Sequence, residues 1–174
     1  MTEAPRKILW VDDEIELLRH LRGHYLHVSY ERVLSGPGLH AIYDYVRDSK
    51  KNEPTWLSEQ IKAGDPPAVI AEAGLKGQAD IAKQALDLFA SIYGAEAGNL
   101  ALKAMALNGV YLGGGIAPKL LAKLKDGTFM KAFTNKGRYK RLMTSIPVKV
   151  VMNDKTALLG AASVAAALSH SPAA

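Results

Sequence analysis

Three consecutive glycines, Gly113, Gly114 and Gly115, are the residues of this sequence best suited to approach a ligand's phosphate groups. They follow the apolar segment 110–112, which is typical of a short buried strand, and they precede a helix predicted at about 118–124. Glycine lets backbone N–H groups come close to a ligand, and the start of a helix favours an anion. The pattern indicates nucleotide binding, but α/β proteins without a nucleotide site also turn from strand to helix on glycine.

Three acidic residues, Asp12, Asp13 and Glu14, follow the apolar segment 7–11. A strand followed by paired carboxylates resembles the Mg²⁺ site of a response-regulator receiver domain. That fold also requires an aspartate at the end of a buried third strand, and the segment 44–60 contains no apolar strand that ends in aspartate. The acids instead fit the first turn of an amphipathic helix, where the helix dipole favours negative charge. We therefore reject the receiver fold.

Two other groups of polar residues have spacings that could bind a ligand. The run 136–141 combines basic residues with Tyr139, which is typical of a nucleic-acid surface and also of an ordinary solvated helix face. His20 and His24 are four residues apart on a predicted helix, which is a metal-ligand spacing. No third ligand is convincingly placed beside them. We interpret the histidines as a surface pair and the basic run as a solvated face.

The composition excludes several classes of protein. The 174 residues contain no cysteine, which excludes disulfides, cysteine-ligated zinc, iron–sulfur clusters and thiol catalysis. There are 22 Lys and Arg against 17 Asp and Glu, and the net charge of +5 permits a polyanionic partner without requiring one. The longest apolar run, 157–168, is shorter than the ~20 residues that span a bilayer. We predict a cytoplasmic protein with neither a membrane nor a nucleic-acid partner.

The spacing of apolar residues predicts mostly helices. Gly94 and Gly98 lie inside the longest one, and they predict either the close approach of another backbone or a break between two helices. The residues Gly64-Asp65-Pro66-Pro67 are expected to end a helix. The fold class is therefore α/β with a high helical content. Helices are expected at about 12–26, 30–34, 39–46, 55–63, 79–107, 118–124 and 156–168, strands at 7–11, 110–112 and 148–152, and a loose basic region at 125–141.

A longer pattern resembles a known family. Residues 31–39 read Glu-Arg-Val-Leu-Ser-Gly-Pro-Gly-Leu, and residues 109–118 read Gly-Val-Tyr-Leu-Gly-Gly-Gly-Ile-Ala-Pro. In order and spacing, these and the other matching segments resemble the bacterial glucokinases of the ATP-dependent, hexokinase-like superfamily. The other segments are 15–19, 27–30, 98–102, 133, 136–138, 146–148 and 158–161.

The resemblance implies a fold, a reaction and two groups of site residues. The fold is the C-terminal lobe of an actin-like (ribonuclease H-like) ATPase, α/β and helix-rich. The reaction is the ATP-dependent phosphorylation of glucose to glucose 6-phosphate, with ATP and Mg²⁺ as cofactors. Glu31 matches the family's glutamate that binds a glucose hydroxyl, for which a carboxylate is a strong acceptor. Gly113, Gly114 and Gly115 match the family's adenosine-side turn, which implies nucleotide binding.

Other motifs of the family are missing from the matched segments. The sequence contains neither the Asp-x-Gly-Gly-Thr phosphate loop nor the Glu-Gly-Gly-His segment of the glucose site, and the family's catalytic aspartate lies upstream of every matched segment. We predict an N-terminal extension at 1–11 that does not match the family, a glucokinase C-terminal lobe at 12–168 and a tail at 169–174. No catalytic or metal-binding residue is assigned, and the chain alone is expected to have negligible turnover. The alternative is a non-catalytic lobe that binds nucleotide or oligomerises, with a second copy or an N-terminal lobe as partner.

Overall fold

The structure of the protein, a computed structural model, describes residues 12–50 and 52–169. Within these residues there are ten α-helices, two short 3-10 helices (Tyr30–Arg32 and Gly137–Tyr139) and a sheet of two strands, β1 (Val110–Leu112) and β2 (Val148–Val150). The predicted strand at 7–11 and all of the predicted tail except Ser169 lie outside the described residues. The α-helices are α1 (Asp12–His24), α2 (Gly36–Lys50), α3 (Thr55–Ala63), α4 (Pro66–Leu75), α5 (Asp80–Lys103), α6 (Ile116–Lys119), α7 (Leu121–Lys125), α8 (Thr128–Thr134), α9 (Lys140–Ser145) and α10 (Thr156–Ser169).

The first hydrophobic cluster is formed by helices α1 to α4 and the first part of α5. The apolar residues that recur every three or four positions along α2 and α5 face one another, and Ile42, Tyr43 and Phe89 are almost completely buried there. Tyr43 O–H donates a hydrogen bond of 2.8 Å to Glu53 Oε1, between α2 and α3. The only polar side-chain atom of this buried ring is therefore satisfied, and the connection from α2 to α3 is anchored.

Pro66 and Pro67 begin a helix that the sequence did not predict. The preceding helix ends at Ala63, as predicted. However, Pro66 and Pro67 occupy the first turn of α4, where a missing N–H loses no intrahelical bond. Ile70 on α4 is then completely buried in the first cluster.

The glycines of α5 allow α8 to pack closely against it. The helix continues through both glycines, so the first predicted alternative, close approach of another backbone, is correct. A Cβ on Gly94 would lie 2.2 Å from the carbonyl oxygen of Phe129, and one on Gly98 would lie 2.6 Å from that of Phe133. The prediction of a loose region at 125–141 is wrong, because these two buried phenylalanines hold α8 against α5.

The sheet belongs to a second hydrophobic cluster, built from the end of α5 and the residues that follow it. The strands are parallel, with Val110 opposite Val148 and Leu112 opposite Val150. Helices α6 to α9 form the connection between them, as a parallel pair requires. The prediction of a buried β1 is only half correct. Leu112 is buried, but Tyr111 points to the other face and is 65% exposed.

The last helix, α10, is confirmed at its predicted position but is exposed along its whole length. Its leucines at 158 and 168 are each 70% exposed. Among the described residues, no helix is long and apolar enough to cross a membrane.

Candidate functional site

Glu31 lies in the 3-10 helix that connects α1 to α2. Its side chain is exposed, and the next residue but one, Val33, is buried in the first cluster. Backbone bonds from the N–H groups of Val33 and Leu34 to the carbonyl of Tyr30 close the turn, at 3.0 and 2.7 Å. A buried anchor thus places a solvent-facing carboxylate at a fixed position on the surface.

The side chain of Arg32, the residue after Glu31, lies over the ring of Tyr25. The guanidinium carbon of Arg32 lies 4.4 Å from the ring centre of Tyr25, which is the distance of a cation–π contact. Within the part of the chain that the structure describes, Glu31 has no ion pair. Its carboxylate is therefore available to accept hydrogen bonds from a ligand.

The hydroxyl of Ser35 joins Glu31 to the start of α2. Ser35 O–H donates a hydrogen bond of 2.7 Å to the carbonyl oxygen of Glu31, and Gly38 N–H donates one of 3.0 Å to Ser35 Oγ. A Cβ on Gly38 would lie 2.5 Å from the carbonyl carbon of Val33, so only glycine fits this fold of the chain. The segment 31–39, which carries the most specific part of the resemblance, is thus one compact unit.

A cavity of about 470 Å³ opens beside this unit, between α1 and α5. Tyr30 lines it and Glu31 does not, so the exposed carboxylate of Glu31 lies outside the cavity. Burial raises the pKa of the Tyr30 phenol, and the carboxylate of Glu96 raises it further. The cavity is lined by Glu14, Leu17, Leu18, Leu21, Val28, Ser29, Tyr30, Val33, Ile92, Ala95, Asn99, Asn135 and Lys136.

Lys136 departs from the prediction that the run 136–141 is a solvated face. Residues 138–141 are exposed, as predicted. The ammonium group of Lys136 instead donates hydrogen bonds to the carbonyl of Ala95 at 2.8 Å and to Asn99 Oδ1 at 2.7 Å. Burial lowers the pKa of Lys136, and this effect outweighs the negative charges of Glu14 and Glu96, which raise it. Lys136 thus connects the end of α8 to α5.

The glycine turn connects β1 to α6. All three glycines are exposed, and among the described residues no atom lies within 4 Å of a Cβ built on any of them. Gly114 has a φ of 90°, in the left-handed region where glycine is favoured. The single helix predicted after the turn is wrong, because Leu120 separates α6 from α7. The turn presents an open backbone surface to solvent.

Glu31 and the glycine turn belong to different parts of the packing. The turn that carries Glu31 is anchored by Val33 in the first cluster, whereas β1, which leads into the glycine turn, packs in the second. Helix α5 contributes buried residues to both clusters, with Phe89 in the first and Ala97 in the second. One helix therefore connects the two regions where the sequence predicts ligand contacts.

A buried ammonium group at Lys123 was missed by sequence reasoning. Only 9% of its side chain is exposed, and it contacts the carboxylates of Asp87 on α5 and Asp126 after α7. Burial by itself lowers the pKa of Lys123, but the bonds to these two carboxylates outweigh that effect and raise it. All three N–H donors are used when Thr128 is included. The ammonium group of Lys123 therefore has a structural role, because it links α5 to the residues after α7.

The histidine pair predicted on the first helix is found on α1. The rings of His20 and His24 lie 5.0 Å apart, and the ring of His20 also contacts that of Tyr45 at 5.5 Å. Among the residues described, no group of three or more His, Cys, Asp or Glu could hold a metal ion. Asp12 and Asp13 begin α1, in the helix start that the sequence predicted for them.

Comparison with known proteins identifies the family. Residues 9–168 match the family model described as glucokinase. The chain belongs to the glucokinase family. It is 43% identical to the glucokinase of Synechocystis sp. over 177 aligned residues, which cover 94% of this chain and 49% of that protein. It is 41% identical to the glucokinase of Nostoc sp. over 179 residues, which cover 95% of this chain and 51% of that one.

A solved glucokinase has the same fold as this chain. The crystal structure of a glucokinase from an Antarctic psychrotroph aligns with a TM-score of 0.75 and 30% identity, and the match covers 94% of this chain and 49% of that one. The predicted fold class, a helix-rich α/β glucokinase lobe, is thereby confirmed. The chain spans about half the length of the glucokinases that it matches.

Proposed function

We propose that this chain carries two ligand contacts of a glucokinase that phosphorylates glucose to glucose 6-phosphate with ATP. Glu31 binds a glucose hydroxyl, and Gly113, Gly114 and Gly115 bind the adenosine side of ATP. The main support is the match of residues 9–168 to the glucokinase family. The exposed carboxylate on an anchored turn and the open glycine backbone are compatible with both roles.

The role of Glu31 is to bind and orient the sugar. An ionised carboxylate accepts strong hydrogen bonds from hydroxyl groups, and such a bond to a charged acceptor contributes about 1.5–3 kcal/mol. A fixed acceptor also limits the orientations of the bound sugar, which lowers the entropic part of the reaction barrier. Glu31 is not proposed as the base that removes the proton of the reacting hydroxyl.

These 174 residues alone should turn over glucose negligibly. Phosphoryl transfer depends on holding the phosphates, neutralising their charge and orienting the nucleophile. The sequence has no Asp-x-Gly-Gly-Thr phosphate loop, and we assign no general base in it. Loss of a general base alone lowers a rate by about 10²–10⁴. Within the described residues, none of the acidic or histidine clusters fits a metal ion, so Mg²⁺ enters this proposal only as the ion that accompanies ATP.

The partner and the location of the chain remain predictions. A second copy of the chain or an N-terminal lobe is the predicted partner, and the exposed apolar residues of α10 are compatible with either. A non-catalytic nucleotide-binding or oligomerising lobe stays the alternative function, and the cytoplasm stays the predicted location.

Calorimetric titration with glucose tests the role of Glu31. We expect saturable binding to the unmodified chain and a loss of about tenfold or more in affinity in Glu31→Gln, which keeps the shape but removes the charge. Glu59→Gln on α3 is the matched control, because Glu59 is also exposed and lies in a segment with no proposed role. Absence of glucose binding, or equal affinities of Glu31→Gln and the unmodified chain, would contradict the proposal.

A further inference from the structure

Among the described residues, a side-chain hydrogen bond holds the backbone of the turn that carries Glu31 at one end only. Ser29 precedes the 3-10 helix in the capping position, yet among the described residues its hydroxyl makes no capping hydrogen bond. At the other end, Ser35 O–H donates to the carbonyl of Glu31 at 2.7 Å. Ser35 therefore holds the backbone carbonyl group of Glu31 in place.

The same hydroxyl also begins α2. The first N–H groups of a helix have no intrahelical partner, and Gly38 N–H is one of them. It donates to Ser35 Oγ at 3.0 Å, which is the usual bond of a serine N-cap. A hydroxyl has one proton to donate and two lone pairs to accept with. Ser35 therefore uses its donor on Glu31 and an acceptor on Gly38, and it ties the turn to a helix of 15 residues.

The packing around this hydroxyl leaves little room for the turn to move. A Cβ on Gly38 would lie 2.5 to 2.8 Å from three backbone atoms of Val33. Val33 is itself buried in the first cluster. The backbone from 31 to 38 is thus folded against itself, while the carboxylate at its start remains exposed.

We propose that Ser35 is a positioning residue for the Glu31 carboxylate. It acts through the Glu31 carbonyl and does not touch the sugar. A contact group that is ordered before binding loses less conformational freedom when the ligand arrives, so the bond strengthens the affinity for glucose. This inference rests on the proposed role of Glu31. The competing explanation is that Ser35 only caps α2 and has no effect on Glu31.

Substitution of Ser35 by aspartate separates the two explanations. A carboxylate accepts the Gly38 N–H bond as well as serine does, so the helix stays capped. When ionised it has no proton to donate to the Glu31 carbonyl. We expect Ser35→Asp to keep the melting temperature close to that of the unmodified chain and to weaken glucose affinity by about fivefold. Ser35→Thr retains both bonds and should bind glucose as the unmodified chain does.

Two controls account for charge and for the loss of a hydroxyl. Ser29→Asp adds the same charge two residues before Glu31 and leaves the bond from Ser35 intact. Ser49→Ala removes a serine hydroxyl that donates within α2, to the carbonyl of Tyr45, at the opposite end of the helix from Ser35. Neither should change glucose affinity by more than about twofold, because neither removes the bond to Glu31.

Titration and amide exchange together decide the outcome. Weak binding by Ser35→Asp alone, with accelerated exchange of the N–H groups of residues 33 and 34 that close the turn, supports the inference. If Ser35→Asp binds as tightly as the unmodified chain, Ser35 is only a helix cap and the inference is overturned. If the unmodified chain binds no glucose, the proposed function fails first and the inference fails with it. The titration of the unmodified chain distinguishes these two failures.

Discussion

The backbone of α5 at Gly94 touches the backbone of α8 at Phe129. A Cβ on Gly94 would lie 2.2 Å from the Phe129 carbonyl oxygen and 2.9 Å from its carbonyl carbon. The atoms in contact belong to the main chain of a buried helix, so a rotation of a side chain cannot relieve the overlap. The two hydrophobic clusters share α5, and this contact sets its distance from α8.

We expect Gly94→Ala to destabilise the fold by at least about 2 kcal/mol, because the added methyl group must separate two packed backbones. The matched control is Gly160→Ala on α10, where no described atom lies within 4 Å of the new Cβ. This second change should stabilise the chain by about 0.5–1 kcal/mol, since alanine restricts the unfolded backbone more than glycine does. Denaturant unfolding monitored by circular dichroism measures both values. Equal effects of the two substitutions would show that α5 and α8 are not in close contact.

The cluster around Lys123 makes stability depend on pH. Burial by itself raises the pKa of Asp126, but the bonds from Lys123 and Thr128 outweigh it and lower the pKa. A carboxyl with a lowered folded pKa stabilises the fold above its unfolded pKa, and this stabilisation disappears as the pH falls through the folded value. Lys123, whose pKa is raised, stabilises the fold below about pH 10 and loses that effect as the pH rises through its folded pKa.

Replacing Lys123 tests this dependence. We expect Lys123→Met to cost about 1–2 kcal/mol near neutral pH, because it removes the ammonium group that pairs with two partly solvated carboxylates. As the pH falls below the ordinary aspartate pKa of 3.8, the difference from the unmodified chain should shrink, since Asp126 becomes increasingly protonated in both proteins. Lys83→Met is the control. Lys83 also pairs with Asp87, but the Lys83 side chain is 59% exposed. Its replacement should therefore lower the free energy of unfolding by less than about 0.5 kcal/mol. A difference for Lys123→Met that stays constant from neutral to acidic pH would contradict the assignment.

The glycine turn should bind nucleotide through its backbone. Gly114→Ala forces a side chain into the left-handed region at a φ of 90°, which costs about 1–2 kcal/mol. We expect it to weaken binding of a non-hydrolysable ATP analogue with Mg²⁺ by about tenfold, because the turn relaxes to another conformation. Gly127→Ala has the same strain at a φ of 101°, between α7 and α8, and should lower stability without changing nucleotide affinity. Calorimetry on both variants measures the difference. Equal nucleotide affinities would exclude this turn as the binding site.

Local apolar patterns explain which elements could be predicted. The spacing of apolar residues within the element itself predicts helices α1, α5 and α10 and both strands, so these elements lie near the expected positions. Helix α8 has only seven residues, and it is ordered by the burial of Phe129 and Phe133 against a helix earlier in the chain. Helix α4 was not predicted, because prolines such as Pro66 and Pro67 can mark either the end of one helix or the first turn of the next.

The candidate site likewise contains residues that could be predicted from the sequence and contacts that could not. Glu31 and the three glycines could be singled out from the sequence, because each lies in a continuous segment that resembles the family. The contacts of Lys123 with Asp87 and of Lys136 with Ala95 could not be predicted, since these partners are 36 and 41 residues away and only the packing of α7 and α8 on α5 brings them together. The bond from Ser35 to Glu31 depends on a 3-10 turn whose geometry no local pattern specifies.

A glucose titration followed through the backbone amide resonances of the chain tests the role of Glu31 most directly. We expect the shifts to be largest at residues 31–38, to saturate together with the calorimetric binding, and to require at least about tenfold more glucose in Glu31→Gln. Shifts that are largest at Leu18, Asn99 and Lys136, which line the neighbouring cavity, would place the sugar in that cavity. That result, or the absence of any saturable shift, would contradict the assignment of Glu31 as the glucose-binding residue.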